Sequence, residues 1–263
     1  MDTGRPYNHF MPLPLDLADR RYVQQAGWTA PMRRHLFRRA GLSNAQRVLE
    51  IGCGTGAVLR SVVHAPRTSL FGLDLDRPAL RIAHQHAPSA RLAAGDAHRL
   101  PYADQAFDIS FFHFVLLWLK DPVAALVEAR RVTRVGGAVL ALAEPDYSRR
   151  IDKPASLAPM GIRQTEALRA QGASPELGAK LPELFRAAGL SVMESGQIAQ
   201  QDGTATTSRA ASLEWEVLRT DLQGRLPEAE LDRLAAEDLR TRQAGERVVF
   251  VPTFYARAIV GTP

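Results

Sequence analysis

The sequence predicts an α/β fold in which helices cover both faces of a doubly wound, mostly parallel sheet. Short apolar runs alternate with longer segments of helical periodicity, as strand–helix–strand units do. The alternation contains no internal repeat and no low-complexity tract, and a glycine-rich turn follows the first apolar run. These observations predict seven strands, at residues 47–51, 69–73, 90–93, 107–112, 138–143, 190–198 and 247–259.

Capping residues mark the helix boundaries between the predicted strands. Asp76 precedes one helical segment as an N-cap, and Asp121 caps a second helix whose first residue is Pro122, where the missing N–H costs nothing. The glycine pair at 136–137 is expected to stop that second helix. Helical spacing predicts buried faces formed by Val123, Leu126 and Val127 in this helix and by Leu181, Leu184, Phe185 and Ala188 in a later one.

Three segments lie outside this alternation, and we interpret them as helical lid additions to one sheet. They are residues 1–43, 145–180 and 202–245, the last with the pattern of two amphipathic helices around Gly224. The length fits one sizeable domain better than two. The predicted organisation is an N-terminal helical cap at 1–46, a ligand-binding core at 47–145, and the remainder of the sheet with lid insertions at 146–263.

The composition is that of a soluble globular protein. The 263 residues are 46% apolar and 23% charged, which allows a large core. No window contains the roughly 18 to 20 consecutive apolar residues of a membrane span, and the first residues lack the pattern of a signal peptide. The only cysteine, Cys53, excludes an intrachain disulfide. We therefore expect a cytoplasmic protein without a membrane partner.

The charge balance raises the question of a nucleic-acid partner. The net charge is +5, and only three of the 33 basic residues are lysines. No aromatic-interleaved motif of a nucleic-acid module accompanies the arginines, so a solvated helix face is favoured and nucleic acid is judged unlikely. The arginines that cluster near the N-terminus are Arg20, Arg21, Arg33, Arg34, Arg38 and Arg39.

A glycine turn follows the first predicted strand in "VLEIGCGTGAVL". Gly52, Gly54 and Gly56 can adopt positive φ angles and present no Cβ to a ligand. Residues 57–63 are predicted to continue as a helix, whose N-terminus would favour a carboxylate or phosphate. The segment "GCGTGA" also satisfies the dinucleotide fingerprint, so NAD remains open at this point.

Three acids favour a different ligand. Glu50 lies two residues before the first glycine, where a carboxylate would face an ammonium group. Asp74 ends the second strand, in position to accept hydrogen bonds from ribose hydroxyls. Asp96 follows the third strand, where it can accept from an adenine amino group. An amino acid, a ribose and an adenine are the parts of S-adenosylmethionine (SAM), whereas a dinucleotide would not explain Glu50 and Asp96 together.

The motifs "VLEIGCGTG", "GLDLD", "GDAHRLPYADQAFDIS" and "EARRVTRVGGAVLALAEPDY" resemble, in order and spacing, those of class I SAM-dependent methyltransferases. The resemblance covers residues 47–145 and implies that family's seven-stranded sheet, with the last strand antiparallel and formed by "RVVFVPTFYARAIV". It also implies SAM as cofactor. The implied cofactor contacts are Glu50, Gly52, Cys53, Gly54, Gly56, Asp74, Leu75, Asp96, Ala97 and His113.

The reaction implied by this resemblance is an in-line methyl transfer, for which alignment is the main requirement. A hydroxyl acceptor would also need a proton acceptor. His113, just past the fourth strand, is the first catalytic candidate and Tyr147, beyond the fifth, is the next. No metal is expected, because His84 and His86 point to different helix faces. Cys53 is interpreted as a small filler in the turn.

The N-terminal and C-terminal additions are expected to choose the acceptor, and they leave several functions open. A methyltransferase for a small-molecule acceptor, at O, N or C, is favoured because helical lids can enclose one. The alternatives are an RNA or protein methyltransferase, a SAM-binding cyclase or regulator, and, more distantly, a dehydrogenase. Tyr22 and Trp28 either cap the pocket or staple the N-terminal segment to the sheet. The sequence predicts neither the acceptor nor the oligomeric state.

Overall fold

The structure, a computed structural model, describes residues 13–62, 68–198 and 208–262. A seven-stranded sheet has the order β3-β2-β1-β4-β5-β9-β7, and β9 runs antiparallel to both of its neighbours. Strands β6 and β8 form a separate two-stranded sheet. The strands are β1 Arg47–Ile51, β2 Ser69–Asp74, β3 Arg91–Ala94, β4 Phe107–Phe112, β5 Thr133–Pro145, β6 Ile151–Lys153, β7 Ser191–Gln197, β8 Val248–Phe250 and β9 Thr253–Ile259.

Helices cover both faces of the large sheet, which confirms the predicted doubly wound, mostly parallel architecture. They are α1 Leu15–Trp28, α2 Ala30–Arg39, α3 Leu59–Val62, α4 Arg77–His86, α5 Pro122–Val132, α6 Ala158–Ala170, α7 Leu181–Ala187, α8 Ser208–Leu222 and α9 Glu228–Gln243. In the described residues, none of these helices combines the length and the apolar character needed to cross a membrane. Residues 1–12, which carried the signal-peptide prediction, lie outside the described part.

The predicted caps are present. The Asp76 carboxylate accepts from the backbone N–H of Ala79 at 3.3 Å, and the Asp121 carboxylate accepts from that of Ala124 at 2.9 Å. Each carboxylate satisfies a backbone donor that has no partner within its helix. The sequence therefore located the starts of α4 and α5 correctly.

The predicted end of α5 was wrong. The helix ends at Val132 and β5 begins at Thr133, so Gly136 and Gly137 lie inside the strand instead of stopping the helix. The Thr133 hydroxyl donates to the Ala129 carbonyl at 2.7 Å and thereby helps to close the last helical turn. The prediction that Val127 faces the core was also wrong, since its side chain is 42% exposed.

The last predicted strand, residues 247–259, is two strands. Its first part, β8, pairs with β6 outside the main sheet, and its second part, β9, lies between β5 and β7. Pro252, which has no N–H to donate to a ladder, separates the two. The antiparallel direction expected for this segment is confirmed for β9.

The lid has an apolar cluster of its own. Met160, Ala167, Leu218, Leu222 and Leu231 bring α6, α8 and α9 together, apart from the two clusters on the faces of the sheet. Trp215 packs against this cluster, and its indole N–H donates to Asp238 at 2.8 Å. The two helices predicted around Gly224 are α8 and α9, although residues 202–207 lie outside the described part.

Candidate functional site

The strand register brings the predicted site residues to one edge of the sheet. Glu50 on β1 is level with Gly72 on β2 and with Phe111 on β4. Asp74 ends β2, and the next strand ends level with it at Ala94, two residues before Asp96. Since His113 follows Phe111 by two residues, all four side chains start near the carboxyl ends of adjacent parallel strands. Ligands of open α/β sheets bind at this edge.

The glycine turn closes on Asp74. Gly52, Gly54 and Gly56 have φ angles of 75°, 49° and 76°, which side chains with a Cβ rarely adopt. One Asp74 carboxylate oxygen accepts from the Gly54 backbone N–H at 2.7 Å. The prediction of a helix over 57–63 was wrong for its first part: α3 begins at Leu59, because the turn continues past Gly56, and residue 63 lies outside the described residues.

Close contacts explain why the turn needs glycine. A Cβ on Gly52 would lie 2.5 Å from the Val115 Cγ2, and a Cβ on Gly54 would lie 3.0 Å from the Tyr22 ring. Tyr22 belongs to α1, and burial raises the pKa of its hydroxyl to about 12, with Asp74 adding to the effect. The N-terminal cap therefore lies directly over the turn, and Tyr22 is the residue that contacts it.

Glu50 is a buried carboxylate with an unpartnered oxygen. It is 2% exposed, and its Oε2 atom has no hydrogen-bond partner among the residues that the structure describes. Burial raises the pKa of Glu50 well above its ordinary value, while the charge of Arg33 on α2 opposes that rise. The buried hydroxyl of Thr55 in the turn also has no partner. Buried polar atoms without partners are uncommon in folded proteins and indicate that a polar ligand belongs there.

Asp74 lies beside an exposed apolar residue. Burial raises the pKa of Asp74, and its other oxygen accepts from the Asp76 backbone N–H at 2.9 Å. Leu75, which follows it, is 51% exposed. The carboxylate is thus held in place by the backbone, and an apolar surface lies next to it.

Asp96 occupies its expected position after β3 but is tied to a neighbour that the sequence analysis did not name. One of its oxygens accepts from the His98 backbone N–H at 2.8 Å and lies 2.8 Å from His98 Nδ1. Ala97 is 4% exposed and packs in the sheet core. The spacing Asp–Ala–His in "GDAHRL" was the available signal, because an aspartate often bonds to the backbone two residues on.

His113 is enclosed between the sheet edge and the cap. The ring is 9% exposed, and its Nε2 lies 2.9 Å from the hydroxyl oxygen of Thr29, at the junction of α1 and α2. Burial lowers the pKa of His113 well below its ordinary value, and the charge of Arg33 lowers it further. The imidazole is therefore neutral near pH 7.

The hydrogen-bond pattern assigns the His113 tautomer. The Thr29 hydroxyl donates to the Gln25 carbonyl at 3.0 Å, so its oxygen is left to accept from an N–H at His113 Nε2. This arrangement leaves the Nδ1 atom with its lone pair. Thr29 was missed by the sequence analysis, and only the fold brings it to His113.

Tyr147 belongs to a different group of contacts from His113. It follows β5, its backbone N–H donates to the Pro175 carbonyl at 2.7 Å, and the charge of Arg21 on α1 acts on its hydroxyl. Burial raises the pKa of Tyr147. The Arg21 guanidinium also lies 4.7 Å from the ring centroid of Trp28, which is 45% exposed. Tyr147 thus faces the cap, and no hydrogen bond joins it to His113.

Glu144 is a site-edge residue that the sequence analysis missed. It is fully buried near the end of β5, and its carboxylate accepts from the backbone N–H groups of Val115, Leu116 and Leu117 at 2.9, 3.0 and 3.3 Å. Burial raises its pKa to about 7. Since Val115 contacts Gly52, this carboxylate fixes the loop that connects His113 with the glycine turn. The signal was an acid at the end of an apolar strand.

Cys53 has the role of a filler. It is buried in the turn, and burial raises the pKa of its thiol well above the ordinary value. A thiol that does not ionise near neutral pH is a poor nucleophile.

Together these features fit SAM. Unpartnered oxygens on Glu50 and Thr55 lie near a turn that admits no Cβ, and Asp74, with the exposed Leu75 beside it, lies one strand further on. Carboxylates of this kind can accept from an ammonium group, ribose hydroxyls and an adenine amino group. The strand order given above is that of the class I SAM-dependent methyltransferase fold, and the site lies at the edge of the sheet where this fold binds its cofactor.

Comparisons with known proteins agree with this class. Residues 49–141 match the family model described as "Methyltransferase domain". Residues 49–141 therefore correspond to a methyltransferase domain, and SAM is the cofactor that fits its site. The matched range contains the turn, Asp74, Asp96 and His113, whereas α1 and α2 lie outside it.

Two curated relatives and one solved structure illustrate the similarity. A demethylmenaquinone methyltransferase from Renibacterium salmoninarum is 34% identical over 115 residues, covering 44% of this chain and 48% of the relative. A malonyl-[acyl-carrier protein] O-methyltransferase from Erwinia pyrifoliae is 35% identical over 123 residues, 47% of each chain. The chain thus spans about half the length of these relatives. A Haloferax volcanii chain solved in complex with the Trm112 methyltransferase activator shares the fold, with a TM-score of 0.62, 19% identity, and coverage of 96% of this chain and 100% of that one.

Proposed function

We propose that this protein transfers the methyl group of SAM to an O, N or C atom of a small-molecule acceptor. The observation that carries the proposal is a roofed site: the N-terminal cap contacts both the glycine turn, through Tyr22, and His113, through Thr29. A site closed over by helices leaves room for a modest acceptor and excludes water, which in-line transfer requires.

The cofactor would be held by acids on adjacent strands. Glu50 would accept from the ammonium group, Asp74 from the ribose hydroxyls, and Asp96, beside Ala97, from the adenine amino group. The backbone of the turn from Gly52 to Gly56 would lie against the amino-acid portion. When bound, SAM supplies a methyl group already activated on a sulfonium. The chain itself needs mainly to align the acceptor.

For a hydroxyl acceptor, His113 would take the proton at Nδ1. Its imidazole is neutral and its ring is oriented by Thr29. A positioned proton acceptor adds typically about 10²- to 10⁴-fold to the rate. Tyr147, whose hydroxyl is influenced by the charge of Arg21, is the second candidate and would orient the acceptor from the cap side.

The two curated relatives described above are named for demethylmenaquinone and for a malonyl group on an acyl-carrier protein, and these names favour a small organic acceptor group. An RNA acceptor is less well supported by the arginines near the N-terminus. Arg20 is paired with Glu216, and Arg33 is buried in the interior. Two of the six clustered arginines are therefore already paired or buried and do not add to a free basic surface.

The test is to incubate the purified protein with SAM and a panel of small phenols, carboxylic acids, amines and activated methylene compounds. Mass spectrometry would follow S-adenosylhomocysteine and the mass of each acceptor. We expect S-adenosylhomocysteine to form with at least one acceptor, in equal amount to a product that has gained one methyl group.

Other outcomes would replace the proposal. Product formed only with RNA, and suppressed steeply by salt, would identify an RNA methyltransferase. SAM binding without S-adenosylhomocysteine, with an acceptor rearranged at constant mass, would identify a cyclase. Binding of NAD in place of SAM would identify a dehydrogenase.

A further inference from the structure

Two opposite charges are buried at the amino-acid end of the site without being paired to each other. Arg33 on α2 is 5% exposed, and its Nε and Nη1 atoms have no hydrogen-bond partner. Glu50 on β1 is 2% exposed, and its Oε2 atom has none either. The charge of each side chain shifts the pKa of the other, but no hydrogen bond joins them. A buried cation and a buried anion therefore lie close enough to influence each other while polar atoms of both stay unsatisfied.

The contacts of Arg33 within the protein do not account for its burial. One nitrogen, Nη2, donates to the Ala26 carbonyl at 2.8 Å and connects α2 to α1. Burial lowers the pKa of this guanidinium to about 10, which reflects the cost of holding the charge away from water. A neutral side chain could make the single bond to Ala26 without the free-energy cost of burying a charge. The two remaining nitrogens therefore indicate that a negatively charged ligand group binds here.

We propose that Arg33 binds the α-carboxylate of SAM while Glu50 accepts from its α-ammonium group. A zwitterionic amino acid is complementary to a buried cation and a neighbouring buried anion, and charge-assisted bonds to both would satisfy the unpartnered atoms. The inference rests on the proposed function, since it requires SAM in this site. Arg33 lies outside the matched methyltransferase range, so the cap contributes a cofactor-binding residue of its own.

This assignment makes the cap sensitive to the amino-acid end of the cofactor. Thr29 and Arg33 lie one helical turn apart at the start of α2, and the Arg33 backbone N–H donates to the Thr29 carbonyl at 2.9 Å. A carboxylate bound at Arg33 therefore stabilises the helix that also positions His113. A ligand without a carboxylate would leave the Nε and Nη1 atoms of Arg33 without a partner.

The test uses three ligands with different amino-acid ends. Each ligand is compared with itself between wild type and variant, so that the methyl group and charge at the sulfur of decarboxylated SAM do not enter the comparison. S-adenosylhomocysteine has both charged groups. Decarboxylated SAM keeps the ammonium group alone, and 5′-methylthioadenosine has neither. Calorimetry would give the dissociation constant of each ligand for the wild-type protein, Arg33→Gln and Glu50→Gln. Arg33→Gln keeps a donor for the Ala26 carbonyl, and Arg38→Gln, at an exposed position of the same helix, is the matched control.

We expect Arg33→Gln to weaken the binding of S-adenosylhomocysteine by at least about tenfold, because a charge-assisted bond is lost. The dissociation constants of the other two ligands should change by less than about threefold. Glu50→Gln is expected to weaken the binding of S-adenosylhomocysteine and of decarboxylated SAM, but not the binding of 5′-methylthioadenosine. Arg38→Gln should leave all three constants unchanged.

If Arg33→Gln lost affinity for all three ligands to the same extent, Arg33 would have a purely structural role and the inference would be overturned. Unchanged S-adenosylhomocysteine binding in that variant would overturn it as well. If the wild-type protein bound none of the three ligands, the proposed function itself would fail, and this result is distinct from the other two.

Discussion

At the scale of single residues, Asp74 combines a structural and a ligand-binding role that experiment can separate. Its carboxylate accepts from Gly54 in the turn and from Asp76 at the start of α4. Both bonds hold its oxygens at the edge where ribose is expected. Removal of the carboxylate would cost stability through the freed N–H groups and would remove the ribose partner as well.

We predict that Asp74→Ala weakens SAM binding by at least about tenfold in calorimetry, the size expected for lost hydrogen bonds to a charged group. The control is Asp76→Ala, which removes the N-cap of α4 at a cost of about 1 kcal/mol without touching the ribose position. Circular dichroism should show both variants folded. Equal SAM affinity in Asp74→Ala and wild type would refute this placement of the cofactor.

For His113, the expected loss is in turnover. His113→Ala should lower kcat by about 10²-fold or more if the acceptor is a hydroxyl, while the affinity for SAM changes by less than about threefold. Thr29→Val, which removes the partner of Nε2, should give a smaller loss that Thr29→Ser restores. The pH profile of kcat in each variant is the accompanying measurement. A His113→Ala enzyme with wild-type turnover would remove this residue from the catalytic candidates.

At the scale of secondary structure, Glu144 joins the end of β5 to the loop after β4 and makes that connection sensitive to pH. Within the described part of the chain no charged side chain pairs with it, and its partners are three backbone N–H groups of that loop. Its pKa is raised from 4.5 to about 7. The unfolded chain therefore loses this proton at lower pH than the folded protein does. As a result, the contribution of Glu144 to stability is complete below about pH 4.5 and is lost as the pH rises toward 7.

Glu144→Gln tests this linkage. We expect the difference in unfolding free energy between pH 5 and pH 8, measured by urea denaturation, to change by about 2 to 3 kcal/mol relative to wild type, since each pKa unit corresponds to about 1.4 kcal/mol. The sign is specific: wild type loses stability with rising pH relative to the variant. His113 acts in the opposite direction, because its lowered pKa destabilises the fold as the pH falls below about 6.5, but it is present in both proteins. Parallel pH curves for the two proteins would contradict the assignment.

The elements could be predicted where local chemistry decides them. Strand β4 was placed over 107–112 as the structure has it, and the caps at Asp76 and Asp121 were found because an N-cap depends on residues three apart. The end of α5 was misjudged because a glycine pair inside a strand has the same local signal as a helix stop. The partners Thr29, Arg33 and Glu144 were missed because they lie far along the chain from His113, Glu50 and Val115.

At the scale of the whole molecule, the apolar clusters divide the structure into a sheet and a lid. Two clusters cover the faces of the sheet and include Leu140 and Phe112, and the third holds α6, α8 and α9 together through residues such as Leu222. The lid contacts the cap where α8 packs on α1 and Arg20 pairs with Glu216. The residues proposed to bind the cofactor belong to the sheet and the cap, so we propose that the lid is the part that contacts the acceptor.

This division predicts that the lid can loosen while the sheet stays folded. Leu222 is fully buried in the lid cluster, and Leu140 of β5 is fully buried in a cluster on one face of the sheet. Leu222→Ala and Leu140→Ala therefore remove the same atoms from two different clusters. Each substitution is expected to cost about 2 to 5 kcal/mol within its own cluster. Native-state hydrogen exchange should show that Leu222→Ala accelerates exchange in α6, α8 and α9 and not in the main sheet. SAM affinity should stay within about threefold of wild type, while acceptor turnover should be strongly reduced. Leu140→Ala should accelerate exchange in every strand from β1 to β5. If Leu222→Ala accelerated exchange throughout the sheet to the same extent, sheet and lid would unfold as one unit, and acceptor selection would not be a property of the lid alone.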